Sequence, residues 1–600
     1  MKPLRKPRLI KLLLAAAGLA RLASAVTGDA LYKQQCATCH DNPGSTRAPA
    51  IGVLRQMSPE AILNALESGL MKEQGKMLAA PDRRALAEWL TGKSIGSAAT
   101  ATGFCEKRDA DFAIGGDGWS AWGNGVDNHR YAEVRIDPAR LTLKWAFGFP
   151  GAAVSFAQPT ITGGRMFIGG ASRKVYSLDA KTGCTYWIFE PQANVRAAIT
   201  ITPGKVALFA DQLSNVYAVD ARNGELLWKT HLDDHRSARV TGSPQLWKDR
   251  LYVPISSAED GPSLNPKYEC CTGRGGVVAL DAKTGKILWH TYSIAETPQP
   301  TRKNAVGTQM WGPSGASIWS APTIDAKRNR LYVGTGDNHS EPETNTSDAI
   351  LAMDLDTGKI VWSKQLTEHD KFNIACVAVD QTNCPKPAGP DLDVGSSPMI
   401  VGNLLIVGQK AAVVHALDLD RDGEIKWQTR IGRGGALGGI QWGMATDGEN
   451  VYAALSDVEF KAGTGVFGSG TRFEADPKVG GGLFALRIKT GEKVWAAPAP
   501  DCGDRKNCSP AQSAAITAIP GAVFSGSVDG HIRAYSAKDG RVIWDFDTAR
   551  AFTTVNGVAA KGGSMDGPGP VVVDGMIYVP SGYGNWGGKA GNVLLAFAQQ

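Results

Sequence analysis

Apolar positions along this chain alternate with polar ones over short runs, as in VYAVDA and GELLWKT, and each run is bounded by the same punctuation. An apolar run, a turn opened by Asp and holding Gly, and a returning run that carries tryptophan recur eight times between Lys144 and Asp545. Period-two alternation is the mark of a half-buried strand, and Asp followed by Gly supplies the bend and the positive φ of a tight turn. Each unit therefore predicts a β-hairpin. Four copies are regular, with tryptophan eight residues after Asp179, Asp220, Asp281 and Asp354. The copy ending at Trp427 is one residue longer, those ending at Trp495 and Trp544 replace the aspartate with Arg487 and Ser536, and a degenerate first copy ends at Trp145. Successive tryptophans lie 41 to 73 residues apart. A four-stranded blade needs about 40–45 residues, so the pattern predicts an all-β, eight-bladed propeller, with insertions before Trp289, Trp362, Trp427 and Trp495 that build one functional face. The final apolar run, NVLLAFA, lacks a tryptophan and is expected to close the ring against the Trp145 strand.

Length and composition leave room for one small domain besides the propeller. The expected organisation is a signal peptide over 1–25, a helical domain over 26–93, a small polar linker over 94–103 and the propeller over 104–600. The leader has five early basic residues, the apolar run LLLAAAGLA and Ala23-Ser24-Ala25 as a small-residue cleavage site, which predicts export to the periplasm. Its removal takes away six positive charges and no negative ones, so the formal +6 becomes zero. The mature surface thus offers no argument for nucleic-acid binding. No segment of the mature chain approaches the roughly 20 apolar residues of a membrane span.

Ten cysteines in an exported chain are expected to be oxidised or ligated. Cys36-Ala37-Thr38-Cys39-His40 is a CxxCH haem-attachment motif: the two thiols bond the vinyl groups and His40 is the proximal iron ligand. A zinc-binding reading would need a second cysteine pair nearby. Among the other eight, short loops suggest Cys376 with Cys384 and Cys502 with Cys508, which leaves Cys105 for Cys184. Adjacent Cys270 and Cys271 either form an eight-membered ring or pair elsewhere.

The N-terminal segment resembles a small class I cytochrome c. The resemblance places Met71 as distal ligand of haem c, with Met77 as competitor. The DAKTGKxxW repeats, found with such a domain, resemble those of the PQQ-dependent (pyrroloquinoline quinone) quinohaemoprotein alcohol dehydrogenase family over nearly all of 104–597. That resemblance implies a metal such as Ca²⁺ held by Glu259, in VPISSAED, and by Asp337 or Asn338, in YVGTGDN. It places Trp319 under the PQQ ring, Arg196, Thr241 and Lys410 on its oxygens and carboxylates, and Asp370, in TEHDKFN, as general base. Arg274 is a further candidate facing the site. The sequence departs from the family in three places: the vicinal cysteines follow Glu259 instead of preceding Arg196, Gln441 stands where many relatives have asparagine, and Ala514 where some have tryptophan.

Cytochrome before propeller, YECCTGRGGVVALD and VGQK look most like the branch of that family that oxidises polyvinyl alcohol, which would need an open mouth for a polymeric secondary alcohol. Electrons would pass through the Cys36/Cys39 haem to an external cytochrome c or respiratory acceptor. Two other readings are a PQQ dehydrogenase of small alcohols, sugars or aldehydes, and a cofactor-free propeller serving as an assembly scaffold.

Overall fold

A computed structural model describes residues 27–600, apart from 42–47, 50, 56, 68, 70, 96–102, 109, 116–117, 379, 468–470, 506–507 and 585–587. The expected signal peptide and most of the expected linker lie outside the described residues. Seven four-stranded sheets and one five-stranded sheet make the eight blades. The last blade joins the two ends of the propeller: Leu141–Gly148 pairs with Val593–Gln599 in an antiparallel register that sets Trp145 opposite Ala596. The ring is thus closed by the strand pair expected from sequence.

The repeated residues dock one blade on the next. In the turn after Ala349–Asp354, Asp354 Oδ1 accepts from the amides of Asp356 and Thr357 and from the Thr357 hydroxyl. This Asx arrangement presents Gly358 at φ +71°, and a Cβ there would lie 2.5 Å from the ring of Trp289 in the preceding blade. The indole Nε1 of Trp289 donates to Leu355 O across the same junction at 3.3 Å. Trp187, Trp427 and Trp495 repeat the bond, to Ala221 O, Ile488 O and Ala537 O. The tryptophans are therefore inter-blade keys.

An irregular segment leading into the first blade crosses the ring of buried first strands. Trp119 bridges to Ile161, Val126 O accepts from Ile324, Asp127 O from Ile400, His129 O from Thr446, and Arg130 O from Ala518. Arg130 is fully buried, and its guanidinium donates to Ile516 O, Trp122 O and Gln158 Oε1. Burial pulls its pKa down to about 9. Nothing in the hydrophobic pattern pointed to this strap, because its role rests on long-range hydrogen bonds.

The N-terminal unit is helical. Gly28–Gln35 crosses Ala80–Thr91 so closely that a Cβ on Gly28 would meet Trp89 at 2.2 Å. Pro59–Glu67 adds Ile62 and Leu66 to a core with Leu31, Tyr32, Leu86 and Leu90. It touches the propeller where Ser58 N donates to Gly151 O at 3.3 Å.

Gly358→Ala is expected to destabilise the propeller by about 2–5 kcal/mol, combining a left-handed penalty of about 1–2 with overpacking of about 1–3. Gly575, at φ +74° with open space around it, should show only the first part on change to alanine. Denaturant midpoints of the two variants measure the difference.

Candidate cofactor slot and acidic centre

Four sequence-predicted residues converge. Arg196, Thr241 and Trp319 line one slot, and Lys410 Nζ lies 5.9 Å from the Trp319 ring centre. Two unanticipated aromatics complete it. Trp122 comes from the strap, and Trp442 stands edge-on to Trp319 with ring centres 4.9 Å apart. Trp442 is held by Asp566, whose Oδ1 accepts from the indole at 2.6 Å and from Ser513 Oγ at 2.8 Å. Burial pushes the Asp566 carboxyl above its ordinary range. The Arg196 guanidinium lies 4.4 Å from the Trp442 ring centre, and its Nη2 is buried without a hydrogen-bond partner. Of the noted departures, Gln441 donates to Gly438 O and Ala514 is buried in core packing.

Beside the slot lies an acidic centre that sequence reasoning found only in part. Among the described residues, Asp337, Asp391 and Asp393 bring carboxylate oxygens within 4.8 Å of one another. Lys410 Nζ reaches Asp391 Oδ1 at 2.7 Å and Asp393 Oδ2 at 2.9 Å. Asp393 also accepts from Trp319 Nε1 at 3.1 Å and from Asp337 N at 3.0 Å, which ties the acidic centre to the floor of the slot. Asp337 Oδ2 is buried without a hydrogen-bond partner. Burial first, then the Asp393, Asp391 and Asp370 carboxylates, raise the Asp337 pKa well above the ordinary range. The signal for Asp391 and Asp393 was the Asp-Leu-Asp triplet before Val394, but one short acidic pair in a long loop has no periodicity to mark it.

Asp370 adjoins this trio, and the other predicted site residues have partners of their own. Asp370 is fully buried, with Oδ1 accepting from Asp391 N at 3.0 Å and Oδ2 from Leu392 N at 2.7 Å. Its carbonyl accepts from Asn338 N, so it clamps the 391–393 loop to the 337–338 segment. Burial raises its pKa, opposed by the two amide bonds. Asn338 Oδ1 accepts from Thr344 N, and its Nδ2 donates to Ser314 O. Glu259 accepts from Tyr268 Oη at 2.9 Å, from Thr272 N at 2.8 Å and from Gly273 N. Thr241 Oγ1 meets Ser256 Oγ at 2.9 Å. Arg274 donates to the carbonyls of Ile294, Ala295 and Glu296 and stacks on Tyr292.

The eight propeller cysteines form Cys105–Cys184, Cys270–Cys271, Cys376–Cys384 and Cys502–Cys508. Cys36 and Cys39 lie outside the disulfides. His40 is buried, and its Nδ1 lies 2.7 Å from Pro49 O, which orients the ring and leaves Nε2 for iron. Burial lowers its pKa, favouring the neutral imidazole that ligates metal. Met71 packs against the helical core, whereas Met77 is 62% exposed. Two residues past Met71, Glu73 is held below the ordinary carboxylate range by Lys76, with Arg236 of the propeller contributing.

Flat aromatic walls, two cations and an adjoining carboxylate centre fit a planar polycarboxylate quinone with a hard cation beside it. Joined to a c-type cytochrome on a propeller, they define a quinohaemoprotein dehydrogenase. Residues 119–379 match the family model described as glucose/ethanol/alcohol dehydrogenase, β-propeller domain. Residues 23–90 match cytochrome C oxidase, cbb3-type, subunit III, and 272–518 match outer membrane protein assembly factor BamB. The chain is 41% identical to a polyvinylalcohol dehydrogenase of Pseudomonas sp., covering 95% of this chain and 93% of that one. It is 38% identical to a polyvinylalcohol dehydrogenase of Sphingopyxis sp. (strain 113P3), covering 96% and 93%. Among solved structures, a europium-containing methanol dehydrogenase superposes with TM-score 0.59 at 18% identity, over 80% of this chain and 98% of that one, which speaks to the fold. The chain belongs to the polyvinylalcohol dehydrogenase family of PQQ-dependent alcohol dehydrogenases, and it is an oxidoreductase that uses PQQ and haem c.

Arg196→Gln should weaken PQQ binding about 10- to 100-fold, the loss of one charge-assisted hydrogen bond worth about 1.5–3 kcal/mol. Titration of tryptophan fluorescence with PQQ measures it, and an unchanged affinity would remove Arg196 from the site.

Proposed function

We propose that this chain oxidises secondary alcohol groups of polyvinyl alcohol to ketones in the periplasm, delivering electrons through its haem to an external cytochrome c. The observation that carries the reading is the trio Asp337, Asp391 and Asp393 with Lys410, set against Trp319 at the edge of the slot. Bound PQQ supplies a hydride acceptor, and a hard cation such as Ca²⁺ held by the trio supplies Lewis acidity. The chain's own residues do the rest.

Two buried carboxylates are candidates for the base: Asp370, held by two backbone amides, and Asp391, held by Lys410. Asp391 is the carboxylate that we assign as general base. It would take the carbinol proton as hydride leaves carbon, with Lys410 holding its Oδ1. Asp370 is then a positioning residue, fixing the loop that carries Asp391. Arg196 and Lys410 orient the cofactor carboxylates and oxygens. Thr241 and Trp319 shape its berth, while Glu259 orders the 272–273 turn. Cys36, Cys39, His40 and Met71 would hold the haem. The scaffold reading leaves the haem motif, the buried unpartnered Arg196 Nη2 and the acidic trio without purpose.

With saturating PQQ and Ca²⁺, Asp391→Asn should lower the rate of haem reduction by about 100-fold or more while PQQ remains bound. Asp370→Asn, which exchanges one acceptor for an amide donor facing Leu392 N, should raise the Ca²⁺ concentration needed and recover at high Ca²⁺. Absorption of the reduced haem reads both variants. Turnover by Asp391→Asn with none by Asp370→Asn would return the base to Asp370. Haem reduction in the unsubstituted protein that requires PQQ, Ca²⁺ and polyvinyl alcohol together supports the function. Reduction by short alcohols alone would discard the polymer, and absence of PQQ binding would favour a scaffold.

A further inference from the structure

A second concavity lies beside the Cys270–Cys271 turn, with a volume of about 390 Å³. Arg236, Thr272, Arg274, Thr297, Pro298 and Trp311 line it. Its far wall is an inserted hairpin, Gln299–Lys303 paired with Gln309–Gly312, that occupies the longest gap in the repeat, between Trp289 and Trp362.

The wall is firmly held. Trp311 exchanges backbone hydrogen bonds with the vicinal cysteines, Trp311 N to Cys270 O and Cys271 N to Trp311 O. At the hairpin's other end Asn304 Nδ2 donates to Pro266 O and to Asn383 Oδ1, both at 2.7 Å. Asn383 in turn donates to Ser263 O and Asn265 O, so three insertions are tied at one point. The cations are also fixed: Arg274 by three carbonyls and Tyr292, Arg236 by stacking 4.4 Å from the Tyr268 ring centre. A preorganised wall loses little entropy when a ligand settles against it.

The groove joins the acidic centre through short links. Thr272 N donates to Glu259, Arg274 bridges to Gly315, and the next residue, Ala316, donates its amide to Asp337 O at 2.7 Å.

We propose that this groove is a subsite for the polyol segment flanking the reacting carbon, a deepening that rests on the polymer reading above. Its lining matches a chain of alternating methylene and carbinol units. The faces of Trp311 and Pro298 take the methylenes, and the guanidinium and Thr hydroxyl groups bond the alcohol oxygens. An anionic polymer is the less suitable occupant, because Arg274 Nη1 already serves three carbonyls and the acidic Glu269 sits on the same lining.

Thr297 is exposed, so Thr297→Trp fills the groove without touching the core or the acidic centre. Steady-state haem reduction would be measured with polyvinyl alcohol and with 2,4-pentanediol, a two-carbinol fragment. The expected result is a KM for the polymer raised about tenfold, equivalent to about 1.4 kcal/mol, with kcat and both pentanediol constants unchanged. Thr297→Arg should behave the same way. An unchanged polymer KM in both variants, or equal effects on polymer and pentanediol, overturns the subsite while leaving the function intact. Polyacrylate that competes with the polymer in the unsubstituted protein and stops competing in Thr297→Trp would make the groove an anion site and overturn the assignment. If the unsubstituted protein oxidises pentanediol but never the polymer, the polymer reading fails and the subsite with it.

Discussion

The contact on which everything else depends is a tryptophan of one blade lying on the turn glycine of the next. Eight sheets must stack around an axis at nearly constant spacing, and a flat indole against a residue with no Cβ sets that spacing at about van der Waals distance. At the Trp187, Trp289, Trp427 and Trp495 junctions the indole N–H also reaches a carbonyl of the neighbouring turn, which fixes the rotation of one blade on another. A hairpin whose tryptophan misses its glycine would displace every inner strand beyond it. Since the slot residues come from well-separated parts of the chain, Arg196, Trp319, Trp442 and the 566–568 turn, their convergence follows from this repeated junction.

Regularity of the inner ring frees the loops above it. The insertions between blades carry little secondary structure of their own, yet they are not independent. Asn304 and Asn383 cross-link the loops that follow Asp260, Gln299 and Lys371, and Cys376–Cys384 closes the last of these on itself. A loop network of this kind can hold carboxylates close together because each backbone segment has several fixed partners. Asp370 shows the principle locally: a buried carboxylate held by two amides stiffens the turn on which Asp391 sits at φ +59°.

How much of this could be read from sequence follows from which forces leave a pattern. Alternating strands, Asp-Gly turns and spaced tryptophans are repeated, so blade number and ring closure were legible. Two disulfides were legible from their short loops and Cys105–Cys184 as the pairing these left, whereas the ring of Cys270 and Cys271 stood open against pairing elsewhere. Resemblance brought Arg196, Thr241, Trp319 and Lys410 near the slot; Asp370, Glu259 and Asn338, which it named as base and metal ligands, accept hydrogen bonds from backbone amides that no pattern in the sequence announces. Side chains of the right chemistry in neighbouring loops cannot be ranked without knowing which amides point at them. Trp122 and Arg130 were invisible for another reason: they lie in a strap without periodicity whose partners are about 30 to 440 residues away along the chain.

The charge balance of the centre argues for its occupant more strongly than any single residue does. Asp337, Asp391, Asp393 and Asp370 are buried around one ammonium, Lys410. Behind them Asp348 is fully buried, and neither of its oxygens has a hydrogen-bond partner. Burial and the surrounding carboxylates push Asp348 and Asp337 well above the ordinary range. Burying carboxylates without compensation is costly, and a fold stabilised by hundreds of apolar contacts has no structural need of them here. A hard multivalent cation would lower those pKa values together and turn an electrostatic liability into a ligand set.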